Sequence, residues 1–361
     1  MSIYLNAKKM NQVFLDDAFQ FNKEYTVSYP NKLTVLITER CNYRCTMCNG
    51  SIDRGLTMQQ IQQLEPLLPF ASESTLLGGE PLLHPNISEI LNLWGKYDIR
   101  TAFITNASML TPDIARCIVE NGVERVTVSI DAASPKTYSN IRIGGNFFKV
   151  LKNIATLTKE KIKARATQPR ITFNYVAMRQ NIDELVKLVE IASEIGVEEI
   201  SAFNVLVHSK ECMNQSLFFD QERANQGYLA AKEAGERYGV NVIIPPLFGQ
   251  ESDTAKACVK CKEPWNTMLI DSEGSVRACC RMEAVGNIYQ DPFDEIWNGE
   301  ILRKYRRTVN TPEELDTCKF CHMGMKTPDV NSLNTHFAKG FRTEARELLD
   351  KECAEKTACL L

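Results

Sequence analysis

From residue 33 to about residue 245, short runs of β-branched and aromatic residues alternate with stretches whose apolar residues recur at helical spacing. The runs predict six strands: Leu33 to Thr38, Ser74 to Leu77, Arg100 to Thr105, Arg125 to Ile130, Ile171 to Ala177 and Glu199 to Val205. Between them, Thr111, Pro112 and Asp113 open a helix that closes at Asn121-Gly122. Asn181 and Glu184 read as a capping pair for another, whose apolar face is Ile182, Leu185, Val186 and Val189 and whose stop is Gly196. One joint recurs, as Gly122-Val123-Glu124-Arg125-Val126, Gly196-Val197-Glu198-Glu199-Ile200 and Gly239-Val240-Asn241-Val242-Ile243. A repeated βα unit explains the recurrence. It predicts an α/β fold, a partial (β/α)6 barrel with its chemistry at the carboxyl ends of the strands. A doubly wound open sheet is the alternative, because periodicity does not distinguish closure from openness.

After about Pro246 the pattern changes to cysteine pairs, a turn at Ser272-Glu273-Gly274 between strand-like runs, and a helix near Trp297. Phe341, Ala345, Leu348 and Leu349 lie at helical spacing and predict a docked terminal helix. The expected divisions are an N-terminal extension over 1–30, the barrel over 31–250, a small cysteine-rich domain over 251–330 and a helical tail over 331–361.

A length of 361 residues suits two domains, and 44% hydrophobic with 24% charged residues is a globular composition. Lys and Arg total 42 against 45 Asp and Glu, so there is no bulk positive field for nucleic acid. No apolar run approaches the ~18 residues of a membrane span, and MSIYLNAKKM lacks a signal-peptide core. A cytoplasmic location is expected. There the 13 cysteines stay reduced, and reduced thiols point to metal ligands or nucleophiles.

Cys41, Cys45 and Cys48, in CNYRCTMC directly after the first strand, form the densest group. Three thiolates can hold three corners of an iron-sulfur cubane and leave one iron open to substrate. A buried helical stripe and a structural zinc site are the alternatives, though zinc asks for four ligands and three are local.

The CxxxCxxC string, followed by Gly78-Gly79-Glu80-Pro81 at the end of the second strand, resembles the radical S-adenosylmethionine (SAM) superfamily over roughly residues 33 to 245. The resemblance implies a SAM-binding 4Fe-4S cluster on Cys41, Cys45 and Cys48. Reductive cleavage of SAM there yields a 5'-deoxyadenosyl radical that removes a carbon-bound hydrogen. It also implies that Met47, Gly78, Gly79, Glu80, Asn106, Ser129 and Arg142 bind SAM, with Glu80 accepting from its ammonium group. Asp131 reads as a ribose contact or a helix cap.

CKEPWNTMLIDSEGSVRACC, from Cys261 to Cys280, resembles the first half of a SPASM domain, the cysteine-rich extension of many radical SAM enzymes. Past Cys318 and Cys321 no cysteines continue the run, which favours the shorter twitch form with one auxiliary 4Fe-4S cluster on Cys261, Cys279, Cys318 and Cys321. Cys258 and Cys280 are then spare, Cys280 being a candidate hydrogen-atom donor; a four-thiolate zinc ribbon including Cys258 is the alternative. Cys117 reads as core, and Cys212, Cys353 and Cys359 as incidental thiols. His84 reads as orienting the next helix, His208 as a bystander near the barrel mouth, and His322 as exposed.

The expected activity is oxidation or epimerisation of a small polar metabolite (a sugar, aminocyclitol or nucleoside), with an external one-electron reductant such as flavodoxin or ferredoxin. Modification of a ribosomally made peptide is the second reading. A zinc-ribbon scaffold without radical chemistry is the third.

Overall fold

The computed structural model describes residues 4–250, 260–319, 321 and 331–349. Its main sheet contains β1 (Lys32–Thr38), β3 (Glu73–Gly78), β4 (Arg100–Thr105), β5 (Arg125–Ser129), β7 (Arg170–Ala177), β8 (Glu199–Asn204) and β9 (Asn241–Ile243), each parallel to the next. β2 (Arg44–Cys45) and β6 (Arg142–Ile143) form a separate two-stranded ladder. Strand order along the sheet never reverses across these βα units, whereas a doubly wound sheet requires a reversal. The architecture is therefore a partial barrel, open because its terminal strands pair with different neighbours rather than with each other.

All six expected strands fall within one residue of their predicted bounds at both ends, and the third, Arg100–Thr105, matches without change. β9 was legible as a repeated joint, but its three residues are too short a run to announce a seventh strand. Helices α1 (Tyr4–Gln20), α2 (Met58–Gln62), α3 (Ile87–Lys96), α4 (Pro112–Glu120), α5 (Pro135–Ile141), α6 (Phe147–Lys163), α7 (Leu185–Glu194) and α8 (Gln221–Tyr238) complete the barrel region. α4 starts as expected, with Thr111 accepting from the Ile114 amide and Pro112 in the first turn, and Gly122 follows it at φ +60°.

Alternation along the strands divides two faces. Val35, Leu76, Phe103, Val126, Phe173 and Ile200 are buried in the core, whereas Thr34, Leu36, Thr75, Leu77, Ile104 and Ser129 line cavities on the opposite, concave face.

The cysteine-rich segment does not form a layer apart. Its β10 (Thr267–Ile270) pairs parallel with β1 on the edge away from β3, and β11 (Ser275–Arg277) and β12 (Gly286–Asn287) extend the sheet antiparallel. The N-terminal extension joins the two parts. Lys8 Nζ donates to the carbonyls of Tyr97 and Asp98, while the indoles of Trp265 and Trp297 donate to the carbonyls of Lys23 and Ser28. Residues 342–349 are helical with Ala345 buried, as the tail periodicity predicts. Among the described residues no helix is long and apolar enough to cross a membrane.

The tightest backbone contact lies where β3 ends. Gly78 sits at φ +151°, and a Cβ there would stand 1.7 Å from the Thr38 carbonyl oxygen; at Gly79 it would stand 2.4 Å from that of Arg40. Gly78→Ala should therefore destabilise the chain by on the order of 3 kcal/mol, through both strain and steric overlap. Gly239→Ala, at φ +71° with nothing within 4 Å, should cost only about 1 kcal/mol. Denaturant unfolding of both variants measures the difference.

Candidate active site

The chain leaving β1 enters a loop at the carboxyl rim of the barrel, and this loop holds Cys41, Cys45 and Cys48 in the wall of one cavity of about 740 Å³. Met47, Gly78, Gly79, Asn106, Ser129, Arg142 and His208 line the same cavity. Cys41 and Cys45 are half-buried and Cys48 is exposed. Burial pushes the Cys41 and Cys45 thiols up, and the Arg142 guanidinium pulls Cys45 back down.

Arg142 reaches the cavity because β6 pairs with β2, setting Arg142 opposite Cys45. Its Nη1 donates to Cys45 Sγ at 3.5 Å and its Nε to Asp131 Oδ2 at 2.5 Å. Asp131 is fully buried and also accepts from the Val176 amide at 2.7 Å. Burial opposes the charge on Arg142, but Asp131 and Cys45 override it and hold the guanidinium protonated. Asp131 is therefore the counter-ion of Arg142, and the cap of the next helix is Ser134 instead. The Asn181 and Glu184 capping pair is also spent here. The Asn181 amide donates to the carbonyls of Asp131 and Val176, and Glu184 accepts from the Ala133 amide and from the hydroxyls of Ser134 and Thr137. Tertiary partners outcompeted the local cap.

Glu80 is held by the chain itself. The side chain is fully buried and does not line the cavity; Oε1 accepts from the Leu82 amide (3.0 Å) and the Thr105 hydroxyl (2.6 Å), and Oε2 from the Asn106 amide (2.6 Å). Its three bonds all serve the chain. Burial raises its pKa, opposed by these donors. Gly78 and Gly79 likewise first admit the chain's own backbone, with the Gly79 amide donating to Thr38 and the Glu80 amide to Arg40.

Two residues read as bystanders hold the loop from behind. His208 Nε2 bonds the Met47 carbonyl at 2.9 Å, and the buried Cys212 thiol donates to the Thr46 carbonyl at 2.9 Å. The preceding Val207 is pinned on both sides by the tail, its amide donating to His336 and its carbonyl accepting from Ala338. On the other side, the Ser272 hydroxyl bonds Glu39 and Glu273 pairs with Arg54. None of this has a local sequence signal, since every partner is more than a hundred and twenty residues away. His84 behaves as expected, accepting from the Asn86 amide ahead of α3.

A second cavity of about 710 Å³ contains Cys261, Cys279, Cys280, Cys318 and Cys321. Burial pushes the Cys261 thiol up to about 12. Leu77 and Ile104 line both cavities, so the two cysteine-lined cavities share part of one wall on the concave face of the sheet. Cys117 packs at the core margin, and Cys258, His322, Cys353 and Cys359 lie outside the described residues.

Removing Arg142 would leave Asp131 as an unpaired buried carboxylate. Arg142→Met should cost about 3 to 5 kcal/mol in denaturant unfolding, and adding Asp131→Asn should recover most of the loss. Equal stability of the single and double variants would contradict the pairing.

Two family models match the chain: the radical SAM superfamily over residues 35–192 and SPASM, an iron-sulfur cluster-binding domain, over residues 261–322. An AdoMet-dependent heme synthase of Methanosarcina barkeri is 26% identical over 324 residues, covering 81% of this chain and 88% of the relative. A PqqA peptide cyclase of Ruegeria pomeroyi is 26% identical over 317 residues, 82% and 81% respectively. A GTP 3',8-cyclase of Lactiplantibacillus plantarum is 31% identical over 267 residues, 67% and 77%. Among solved structures, Streptococcus suis SuiB bound to precursor peptide SuiA superposes with a TM-score of 0.62 at 15% identity, over 83% of this chain and 78% of that one, and shares the fold. The radical SAM domain implies a 4Fe-4S cluster with SAM, and the SPASM domain implies auxiliary iron-sulfur ligation. The chain belongs to the radical SAM superfamily, as an enzyme with a C-terminal SPASM domain.

Proposed function

We propose that this enzyme oxidatively modifies a peptide, with Cys41, Cys45 and Cys48 holding the SAM-binding cluster and Cys261, Cys279, Cys318 and Cys321 holding one auxiliary cluster. The observation that carries the reading is the shared wall: Leu77 and Ile104 border both cysteine-lined cavities, so a substrate lying against them is within reach of both. The donor sets fit. Among the described residues no three His, Cys, Asp or Glu side chains converge on a single ion. Each thiol of a four-iron cluster meets a different iron, so its ligands need not converge on one point. Three thiols at the first site leave a corner for SAM; four at the second leave none.

When bound, these groups supply a carbon-centred radical that removes a substrate hydrogen atom and an acceptor for the following electron. The chain's residues position and shield. Arg142, kept charged by Asp131, stabilises the Cys45 thiolate. Asn106, fixed through Glu80, bonds Asn42 beside Cys41. Gly78, Gly79, Met47 and Ser129 provide the remaining SAM-facing surface. Loss of a hydrogen atom, an electron and a proton allows a crosslink or a desaturation. Cys280, exposed within the second cavity, is the donor that epimerisation would need instead. An external reductant such as flavodoxin or ferredoxin would supply the initiating electron in a reducing compartment.

Support for a peptide comes from the PqqA peptide cyclase relative and from the apolar wall that the two cavities share, where Ile104 is 37% exposed. A small polar metabolite is the second reading, favoured by the GTP 3',8-cyclase match at 31% identity.

Anaerobically reconstituted protein should carry ~8 iron per chain and form 5'-deoxyadenosine from SAM with dithionite; Cys45→Ala should abolish that product and keep ~4 iron. Product formation should rise when the peptide fraction of a cell extract is added and fall back after protease digestion. Equal stimulation by a peptide-free ultrafiltrate would favour the metabolite reading.

A further inference from the structure

Helix α11 (Glu300–Thr308), in the cysteine-rich region with the short α9 (Glu263–Asn266) and α10 (Phe293–Trp297) before it, carries three arginines of unequal fate. Arg303 and Arg307 meet the carboxylates of Glu24 and Glu300 at the surface. Arg306 is fully buried, and its partners are neutral: Nε donates to the Pro264 carbonyl at 3.0 Å, and Nη1 to the Glu24 carbonyl at 2.9 Å and Asn298 Oδ1 at 3.0 Å. Its guanidinium stacks 4.9 Å from the Trp297 ring, and Nη2 has no hydrogen-bond partner among the described residues. No carboxylate among the described residues bonds it. Burial pulls it down to about 9, so it still carries its charge at neutral pH.

A buried cation without a counter-ion is costly, and a merely structural role would be served by a neutral side chain. What lies beside it gives the charge a use. Pro264, whose carbonyl it binds, and Tyr305, its neighbour in the helix, both line the cavity that contains Cys261, Cys279, Cys318 and Cys321. Tyr305 is close enough to Cys318 and Cys279 for their charges to raise its pKa further, after burial. The guanidinium thus stands one layer behind the wall of the thiol cavity, out of contact with water that would screen it.

We propose that Arg306 tunes the reduction potential of the auxiliary cluster, acting as the fixed positive charge that favours its reduced, more negative state. The inference rests on the ligand assignment above. It makes Arg306 a positioning residue for electrons: by easing acceptance of an electron, it favours the oxidative outcome over hydrogen-atom return.

The test uses the full chain with Cys41, Cys45 and Cys48 replaced by Ala, so that one cluster remains, titrated with dithionite and followed by electron paramagnetic resonance. About 4 iron per chain in this background upholds the assignment; absence of iron overturns that assignment and this proposal with it. In the loaded protein, Arg306→Met should shift the midpoint to more negative values. The expected change is about tenfold in the reduced-to-oxidised ratio at fixed potential, ~59 mV for one electron. Arg306→Lys should restore most of it. Asn298→Asp retains Arg306 and sets a carboxylate against it, so it should shift the midpoint in the same direction without removing the guanidinium. An unchanged midpoint in Asn298→Asp, or in a fully loaded Arg306→Met, overturns the proposal.

Discussion

Three strand ends meet at the buried carboxylate of Glu80. Its own amide bonds the Arg40 carbonyl after β1, its side chain accepts the Thr105 hydroxyl and Asn106 amide at the end of β4, and it closes the turn after β3 through the Leu82 amide. A carboxylate in so dry a place is tolerated only while each of those donors is present, so the three ends have one mutual arrangement. The cysteine loop inherits that arrangement, since it leaves directly from Arg40, and Asn106 bonds Asn42 within it.

The loop itself has little regular structure, only the two residues of β2 paired with β6. Its order comes from its surroundings: His208 and Cys212 bond successive carbonyls on one side, and the Ser272-Glu273 turn engages Glu39 and Arg54 on the other. Those two supports come from the segment after β8 and from the cysteine-rich hairpin. The tail, through Val207, steadies the first of them. The whole chain thus shapes a site whose three thiols fall within eight consecutive positions, Cys41 to Cys48.

The two thiol sites use buried arginines in opposite ways. Arg142 has a carboxylate partner in Asp131 and touches Cys45 directly, so its charge is largely neutralised within the chain. Among the described residues Arg306 has neutral partners only. A paired cation holds geometry; an unpaired one projects field into the adjacent cavity. The structure thus separates the residue that organises the first thiol loop from the one we propose sets the electrical environment of the second.

Much of this was legible in the chain alone. Strand and helix periodicity located the βα units because alternation and helical spacing are local consequences of burying one face. The two cysteine groups announced themselves by spacing. Other features were hidden. The Asn181 and Glu184 pair resembled a local cap, yet both side chains satisfy buried groups around Asp131, which bond them in a drier setting than a helix end provides. The role of Glu80 in joining three strand ends also had no local signal. Cys212 and His208 had no neighbours by spacing and became supports of the loop.

The order of secondary elements and the chemical types at the rim were determined by sequence, because both depend on residues near one another in the chain. Tertiary structure decided that the cysteine-rich hairpin continues the barrel sheet through β10, that both cysteine-lined cavities share the wall of Leu77 and Ile104, and that Arg306 meets no carboxylate among the described residues. Those outcomes depend on contacts between segments up to hundreds of residues apart, for which pattern along the chain carries no information.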